Sequence, residues 1–438
     1  MNPIRWCHCS DAHLGYKQYN LLDRLKDFAS AFNKCISLIM DQDPDFVIFT
    51  GDLFEHYNPN PPELRQAVEI LRKLKESPKD GHEIPIYVVP GNHDVSYSAS
   101  KRYGGDILEF LQDLELIHYL HDTYEIVKKD NKPIAIIAGL HYYGKKTPGK
   151  LKEFYEANKE IFERTDIPKI LMLHAFVEGT VPKYDISAYA LNMYPFDYIA
   201  VGHYHIRWPM NFNDKKNKVV STGGTEHRTS AEWDHDRGFI SVKAEKLKDN
   251  WEITPEFIKF EVREKKVIHH DFNLTNANEV IKYTSDLIQK NDREGIILKL
   301  YLKGTLKKGD FSFLNLQNLK NQAKNALYID ITNHITATTT TSTTPKNDRE
   351  AFIEVFKNNF NVKKENLDNY VALIETIIKI ANDRDFNELN AKILDDFITK
   401  AADAIQIQET IEPPIKLSKT DSKSRKKLDK IKKLDSFK

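Results

Sequence analysis

Cysteine is scarce in this chain: Cys7, Cys9 and Cys35 are the whole complement, all near the start and in no spaced pattern. That excludes a disulfide framework and a cysteine-rich structural zinc site, and fits a reducing compartment. No run of 18 apolar residues occurs, so no membrane-spanning helix is expected, and no secretory pattern precedes the first apolar stretch. The expectation is a soluble, cytoplasmic protein. Charge of one sign is also missing, with 64 Lys+Arg against 64 Asp+Glu. Neutrality does not exclude nucleic acid, because local basic patches carry such binding. What is present is ample: 438 residues, 40% hydrophobic and 11% aromatic, enough for two or three domains with real cores.

Five short polar segments each end an apolar, β-rich stretch. They are Asp11-Ala12-His13, Gly51-Asp52, Gly91-Asn92-His93-Asp94, His174 and Gly202-His203-Tyr204-His205. The stretches before them run 4–9, 46–50, 84–89, 170–173 and 198–201. In an open α/β sheet, side chains just past the carboxyl ends of strands converge on one crevice. Residues far apart in sequence are therefore expected to line one pocket.

Asp11, His13, Asp52, Asn92, His174, His203 and His205 form a nitrogen and oxygen donor set without thiolate. Such a set suits manganese, iron or zinc. Seven ligands are too many for one ion with an open position, and about right for two ions sharing a carboxylate. Asp52, directly after Gly51 at a strand end, is the natural bridge. Two ions about 3.5–4 Å apart clamp a phosphate and acidify a water.

These motifs resemble the calcineurin-like metallophosphoesterases. The wording around them, Asp11-Ala12-His13-Leu14-Gly15-Tyr16-Lys17-Gln18, Gly51-Asp52-Leu53-Phe54 and Gly91-Asn92-His93-Asp94, is similar to the SbcD and meiotic-recombination-eleven family of double-strand-break repair nucleases. The resemblance covers about the first 260 residues. It implies an α/β fold: a four-layer sandwich of two stacked mixed sheets flanked by helices, with a small α/β capping domain and a C-terminal helical segment. It implies two Mn2+ per subunit, one held by Asp11, His13, Asp52 and His205, the other by Asp52, Asn92, His174 and His203. His93 would stabilise the scissile phosphate and protonate the leaving oxygen, with Asp94 orienting it. The implied activities are 3′-to-5′ exonuclease on duplex ends and endonuclease on single strands. A homodimer is implied through Leu64, Phe110 and Leu114. A coiled-coil ABC-type ATPase of the rad-fifty/SbcC family is the implied partner.

Other residues read as follows. Tyr16 and Lys17, beside the ligand segments, are candidate DNA contacts. His56 is a third: members of the resembled family often carry a histidine near here, although in this chain Glu55 stands directly after Phe54. His8, between Cys7 and Cys9, reads as a packed strand residue, and His141 as a loop histidine. Lys101-Arg102, Lys145-Lys146 and Lys215–Lys218 are basic runs. The loop Ser221-Thr222-Gly223-Gly224-Thr225 stands where relatives usually show Pro-Gly-Ser.

The expected organisation is a phosphoesterase domain over 1–262, with helices at Leu21–Met40, Glu63–Lys75 and Gly105–Leu116. A capping, DNA-binding domain follows over 263–335, with strands at Ile296–Leu302 and Ala326–Ile331 and a helix at Leu314–Lys324. A Thr-rich linker (336–348), a helical partner-binding segment (349–410) and a basic, disordered tail (411–438) complete it. In the helical segment, Leu367, Tyr370, Val371, Ile374, Ile377 and Ile378 make one apolar stripe, and Leu389, Ile393, Leu394, Phe397 and Ile398 a second. They bury against each other or against the partner. Two rival functions remain: a phosphatase or phosphodiesterase acting on small molecules, and a non-enzymatic scaffold. The cap, the helical segment and the basic end disfavour the first, and the complete ligand set the second.

Overall fold

A computed structural model describes residues 3–76, 83–95, 105–209, 218–248, 250–307, 314–337 and 371–372. The linker beyond 337, the tail, both apolar stripes except Val371, and the runs at 101–102 and 215–217 lie outside the described residues.

Two sheets carry the first part of the chain. One has six strands, in the order β11 (Asn250–Phe260), β10 (Arg237–Leu247), β1 (Ile4–Cys9), β2 (Phe46–Phe49), β3 (Ile86–Val88), β4 (His118–Tyr119). The other has five, in the order β5 (Thr123–Lys129), β6 (Lys132–Leu140), β7 (Lys169–His174), β8 (Tyr198–Gly202), β9 (Val219–Ser221). β1 to β4 run parallel, as do β6 to β9, while β10, β11 and β5 are antiparallel. Both sheets are therefore mixed, as expected.

The two-residue period of a strand decides the layering. In β1, Trp6 points into a core shared with Phe46, Ile48, Ile170, Met172 and Tyr198, which is the seam between the sheets. Cys7 and Cys9 point the other way, against Phe32, Ile36, Ala67 and Leu71. Those residues belong to helices α1 (Leu22–Asp41) and α2 (Pro61–Glu76). A third core on the outer face of the second sheet joins Ile136, Leu171 and Val201 to Leu151 and Phe154 of α3 (Thr147–Ala157). Helix, sheet, sheet, helix is the four-layer order. His8 is buried as a packed strand residue, bonded to Tyr198 Oη and Thr50 Oγ1 at 3.0 Å each.

The helix expected over Gly105–Leu116 is shorter, Ile107–Asp113, begun by Asp106 in a reciprocal capping box with Glu109. Leu108 and Leu111 face inward, whereas Phe110 and Leu114 stay 43% and 44% exposed. Leu64 is half-buried against the helix-side core.

A third sheet has three strands, in the order β12 (Lys265–Thr275), β13 (Ile297–Leu306), β14 (Tyr328–Ala337). The helix expected at Leu314–Lys324 is only a 3-10 turn at Gln317–Gln322. Asn315, Asn318 and Asn321 favour local side-chain bonds over a regular helix. The last strand starts two residues later than expected and runs to Ala337. Contacts divide the chain into two units, one of residues 1–270, 284–302 and 316–333, the other of 271–283, 303–315 and the chain from 334. Among the described residues, no helix is long and apolar enough to cross a membrane.

Inside the first unit a buried charge network holds the loop that borders the ligand segments. Glu226 Oε1 meets Lys265 Nζ at 2.6 Å and Arg24 Nη2 at 3.4 Å, while Asp27 holds both Arg24 and Arg263. Burial raises the cost of the Glu226 charge, yet His227, Lys265 and Arg24 outweigh it and hold the carboxyl well below its ordinary range. A carboxyl depressed in the fold binds fewer protons there than when unfolded. Its stabilisation is therefore full above its ordinary value and lost as pH falls below it. Glu226→Gln is expected to cost about 3 kcal/mol at neutral pH, because Lys265 is left buried without its carboxylate. It should also flatten the fall in urea midpoint between pH 6 and 3; an unchanged slope would remove Glu226 from the acid response.

Candidate metal centre

The ligand segments sit where parallel strands of both sheets end. Asp11 follows β1, Asp52 follows β2, Asn92 follows β3, His174 closes β7, and His203 and His205 follow β8. The first two loops are laced side by side. Asp11 N donates to Gly51 O (3.0 Å), His13 N to Asp52 O (3.0 Å), Leu14 N to Leu53 O (2.9 Å) and Glu55 N to Leu14 O (2.9 Å). Turning the side chains inward requires left-handed backbone at Asp11 (φ 52°), His13 (φ 45°), Asp52 (φ 56°) and His203 (φ 89°). Each such non-glycine residue costs about 1–3 kcal/mol, and such strain clusters at functional sites. Gly51 (φ 90°) and Gly91 permit the crowding, since a Cβ on Gly51 would strike the His174 ring and one on Gly91 the Asp52 carboxylate.

The side chains form two groups that meet at Asp52. Asp11, His13, Asp52 and His205 make one; Asp52, His174 and His203 make the other. In the first, His13 Nε2 lies 3.1 Å from His205 Nε2, 3.8 Å from Asp52 Oδ2 and 4.0 Å from Asp11 Oδ1. In the second, His174 Nε2 lies 3.1 Å from Asp52 Oδ2 and 3.2 Å from Asn92 Oδ1. Donors about 2.0–2.2 Å from one ion stand roughly 3–4 Å apart, so these spacings fit a divalent cation in each group.

The outer ring nitrogens support the same reading. His174 Nδ1 donates to Thr50 O at 2.8 Å, His13 Nδ1 faces Glu55 Oε2 at 3.0 Å, and His205 Nδ1 faces Glu232 Oε1 at 3.5 Å. Acceptors on the outside favour a proton on Nδ1 and turn Nε2 inward, the orientation of metal-binding imidazoles. With protons on both outer nitrogens, the Nε2 lone pairs of His13 and His205 would face each other at 3.1 Å and repel unless a cation lay beside them.

Electrostatics follow from burial and crowding. Burial and then the His174 charge push His203 down to about 2. For His174 burial also lowers the value, but the Asp52 carboxylate overrides it and raises it to about 9. Asp52 is the mirror of this: burial disfavours its charge, while His174 and His13 hold it well below the usual carboxylate range. Burial and then Asp52 raise Asp94 to about 7.

Asp94 does not orient His93, contrary to the expectation. Its Oδ1 accepts from Phe54 N and its Oδ2 from Gly91 N, both at 2.9 Å, so it ties two ligand loops together. The His93 ring instead donates from Nδ1 to the Glu55 backbone carbonyl at 2.8 Å, and lies edge-on to His13 at 5.1 Å. Asp94 missed the imidazole because its carboxylate is buried beneath the loops, where only backbone N–H groups reach it.

Among the candidate DNA contacts, Tyr16 is half-buried under the Arg228 guanidinium (5.0 Å), while Lys17 and His56 are exposed. His141 is half-buried, its ring edge-on to His121 and Tyr143. Sequence reasoning missed Glu232, which braces His205, and Phe176 and Tyr142, whose rings lie 3.8 and 5.2 Å from His203. Thr229 and Glu232 read only as a helix-start pattern, and nothing local says which histidine lies opposite.

The calcineurin-like phosphoesterase family profile matches residues 4–207. The DNA double-strand break repair protein Mre11 of Methanococcus maripaludis is 32% identical over 227 residues, 51% of this chain and 57% of that one. Its namesake in Methanocaldococcus jannaschii is 34% identical over 229 residues, again 51% and 57%. That of Sulfurisphaera tokodaii is 24% identical over 419 residues, 94% and 97%. The chain thus spans a little over half the length of the first two relatives. Profile, fold and the pair of ligand groups agree: residues 4–207 carry a calcineurin-like phosphoesterase domain, and this part of the chain is similar to DNA double-strand break repair proteins of the Mre11 type.

Proposed function

We propose that this chain is a manganese-dependent DNA nuclease that trims duplex ends from the 3′ side and cuts single strands. The observation that carries this reading is the meeting of two ligand groups at Asp52, with His93 beside them. Asp11, His13, Asp52 and His205 would hold one ion, and Asp52, Asn92, His174 and His203 the other. The pair of divalent cations would supply Lewis acidity to the phosphodiester and acidify a water.

The chain's own groups do the rest. Asp52 is kept ionised and in register, its Oδ1 accepting from His93 N at 2.9 Å. Because His93 Nδ1 is committed to the Glu55 carbonyl, Nε2 is the atom left to face a phosphate, stabilise its charge as imidazolium and pass a proton to the leaving 3′ oxygen. Asp94 keeps the Gly91 and Phe54 loops together and acts through them. Tyr16, Lys17 and His56 fall to the DNA strand. Phe110 on one short helix and Leu114 just past its end, both exposed, suit a second copy of the chain, with Leu64 on the preceding helix α2. The segment beyond the Thr-rich stretch is assigned to a coiled-coil ABC-type ATPase of the rad-fifty kind, the capping role to 263–335, and action in DNA break repair to the whole.

Manganese titration of the metal-free protein should give two sites. Asp52→Ala is expected to weaken both, and His174→Ala chiefly one; two intact sites in Asp52→Ala would break the shared-carboxylate reading. On linear duplex DNA with manganese, His93→Ala should lower turnover by about 10²–10⁴-fold while leaving manganese binding in place. Wild-type protein that hydrolyses a generic aryl phosphodiester but leaves duplex and single-stranded DNA intact would favour a small-molecule phosphodiesterase instead.

A further inference from the structure

Glu55 stands at the junction of three groups that the two-ion reading uses or borders. Its Oε2 lies 3.0 Å from His13 Nδ1, its Oε1 meets Arg228 Nη2 at 2.7 Å, and its backbone carbonyl accepts from His93 Nδ1 at 2.8 Å. The residue is 6% exposed. Its place is set by backbone rather than chance: Glu55 N donates to Leu14 O, and Phe54 N before it donates to Asp94. The carboxylate faces His13 Nδ1 at 3.0 Å without the alignment of a good hydrogen bond, and neither atom finds another hydrogen-bond partner. Arg228, so held, lies over the Tyr16 ring at 5.0 Å.

A carbonyl oxygen cannot donate, so His93 must carry its proton on Nδ1. A carboxylate 3.0 Å from His13 Nδ1 draws that ring's proton to the same atom. His13 is thereby left with Nε2 on the side where His205, Asp52 and Asp11 converge, and Nε2 is the ring nitrogen of His93 not committed to Glu55. We propose that Glu55 is a positioning residue of this centre: its carboxylate fixes the tautomer and orientation of His13 and seats Arg228, and its carbonyl does the same for the ring of His93. The sequence position makes this particular to the chain, since Glu55 stands directly after Phe54. Glu55 touches no reacting atom; it acts through the two imidazoles and the guanidinium. The proposal rests on the two-ion reading, and its test does not need DNA cleavage.

The test uses the full chain, metal-free, with 15N-labelled histidine, followed by titration with manganese alone. In the wild type, His13 and His93 are expected to show Nδ1-protonated rings, assigned through His13→Gln and His93→Gln. Glu55→Ala should shift His13 toward a mixture of tautomers and weaken manganese binding by about 10–100-fold, the usual effect of removing a partner of a ligating imidazole. Glu55→Gln, whose amide oxygen still accepts from Nδ1, should keep the tautomer and lose less affinity. It also decides the matter should Glu55→Ala fail to fold. On DNA, Glu55→Ala should lower kcat more than it raises KM, and Arg228→Ala should do the reverse. A His13 ring and a manganese affinity unchanged in Glu55→Ala, or a Glu55→Gln protein as impaired as Glu55→Ala, would overturn the proposal. Changed rings and affinity in a protein that cleaves no DNA would leave it standing and remove the nuclease reading instead.

Discussion

The Asp52 carboxylate is the constraint around which the site is arranged. It is buried, attached to left-handed backbone, and within 4 Å of imidazoles arriving from both sheets: His13 from the first and His174 from the second. A charge so placed is unstable alone and stable only among partners. The surrounding loops are built accordingly. Gly51 and Gly91 lack the Cβ that would collide with the neighbours of that carboxylate, and Asp94 holds the Gly91 and Phe54 loops from beneath. Altering any of these moves Asp52 with respect to both ligand groups at once.

The two sheets make that meeting possible. Parallel strands present their carboxyl ends along one edge, and stacking the sheets brings those edges together. Trp6, Phe46 and Ile48 face Ile170, Met172 and Tyr198 across the seam, so the packing that buries the core also sets how far apart the ligand loops stand. Stability and site geometry thus share the same contacts, and an error at the seam would be felt at the ligands.

A second ring of acceptors gives the imidazoles their direction. Thr50 O and Glu55, both from the loop after β2, and Glu232, from the segment before β10, each face an Nδ1. These acceptors hold the outer protons on Nδ1 and turn Nε2 toward the centre, so that a cation there would displace only an Nε2 proton. Glu232 is tied in turn to Arg237, and Glu55 to Arg228, so the orienting carboxylates are themselves held by charge.

The cluster of candidate ligands is legible in the sequence because strand ends, adjacent glycines and donor chemistry are local features. All seven expected ligands come together in two groups sharing Asp52, and the layered α/β fold follows from the same apolar stretches. Short-range reasoning failed where the partner lies far along the chain. Asp94 was assigned to its neighbour His93, yet backbone N–H groups capture its carboxylate. Glu55 is matched with Arg228 across 173 positions, and His205 with Glu232 through a turn whose local pattern signals only a helix start. Likewise, which face of the Ile107–Asp113 helix turns inward depended on the core beneath it. Spacing along a strand or helix determines which residues share a face, but only the packed fold decides what each face meets, because long-range partners are chosen by the geometry of the whole sandwich.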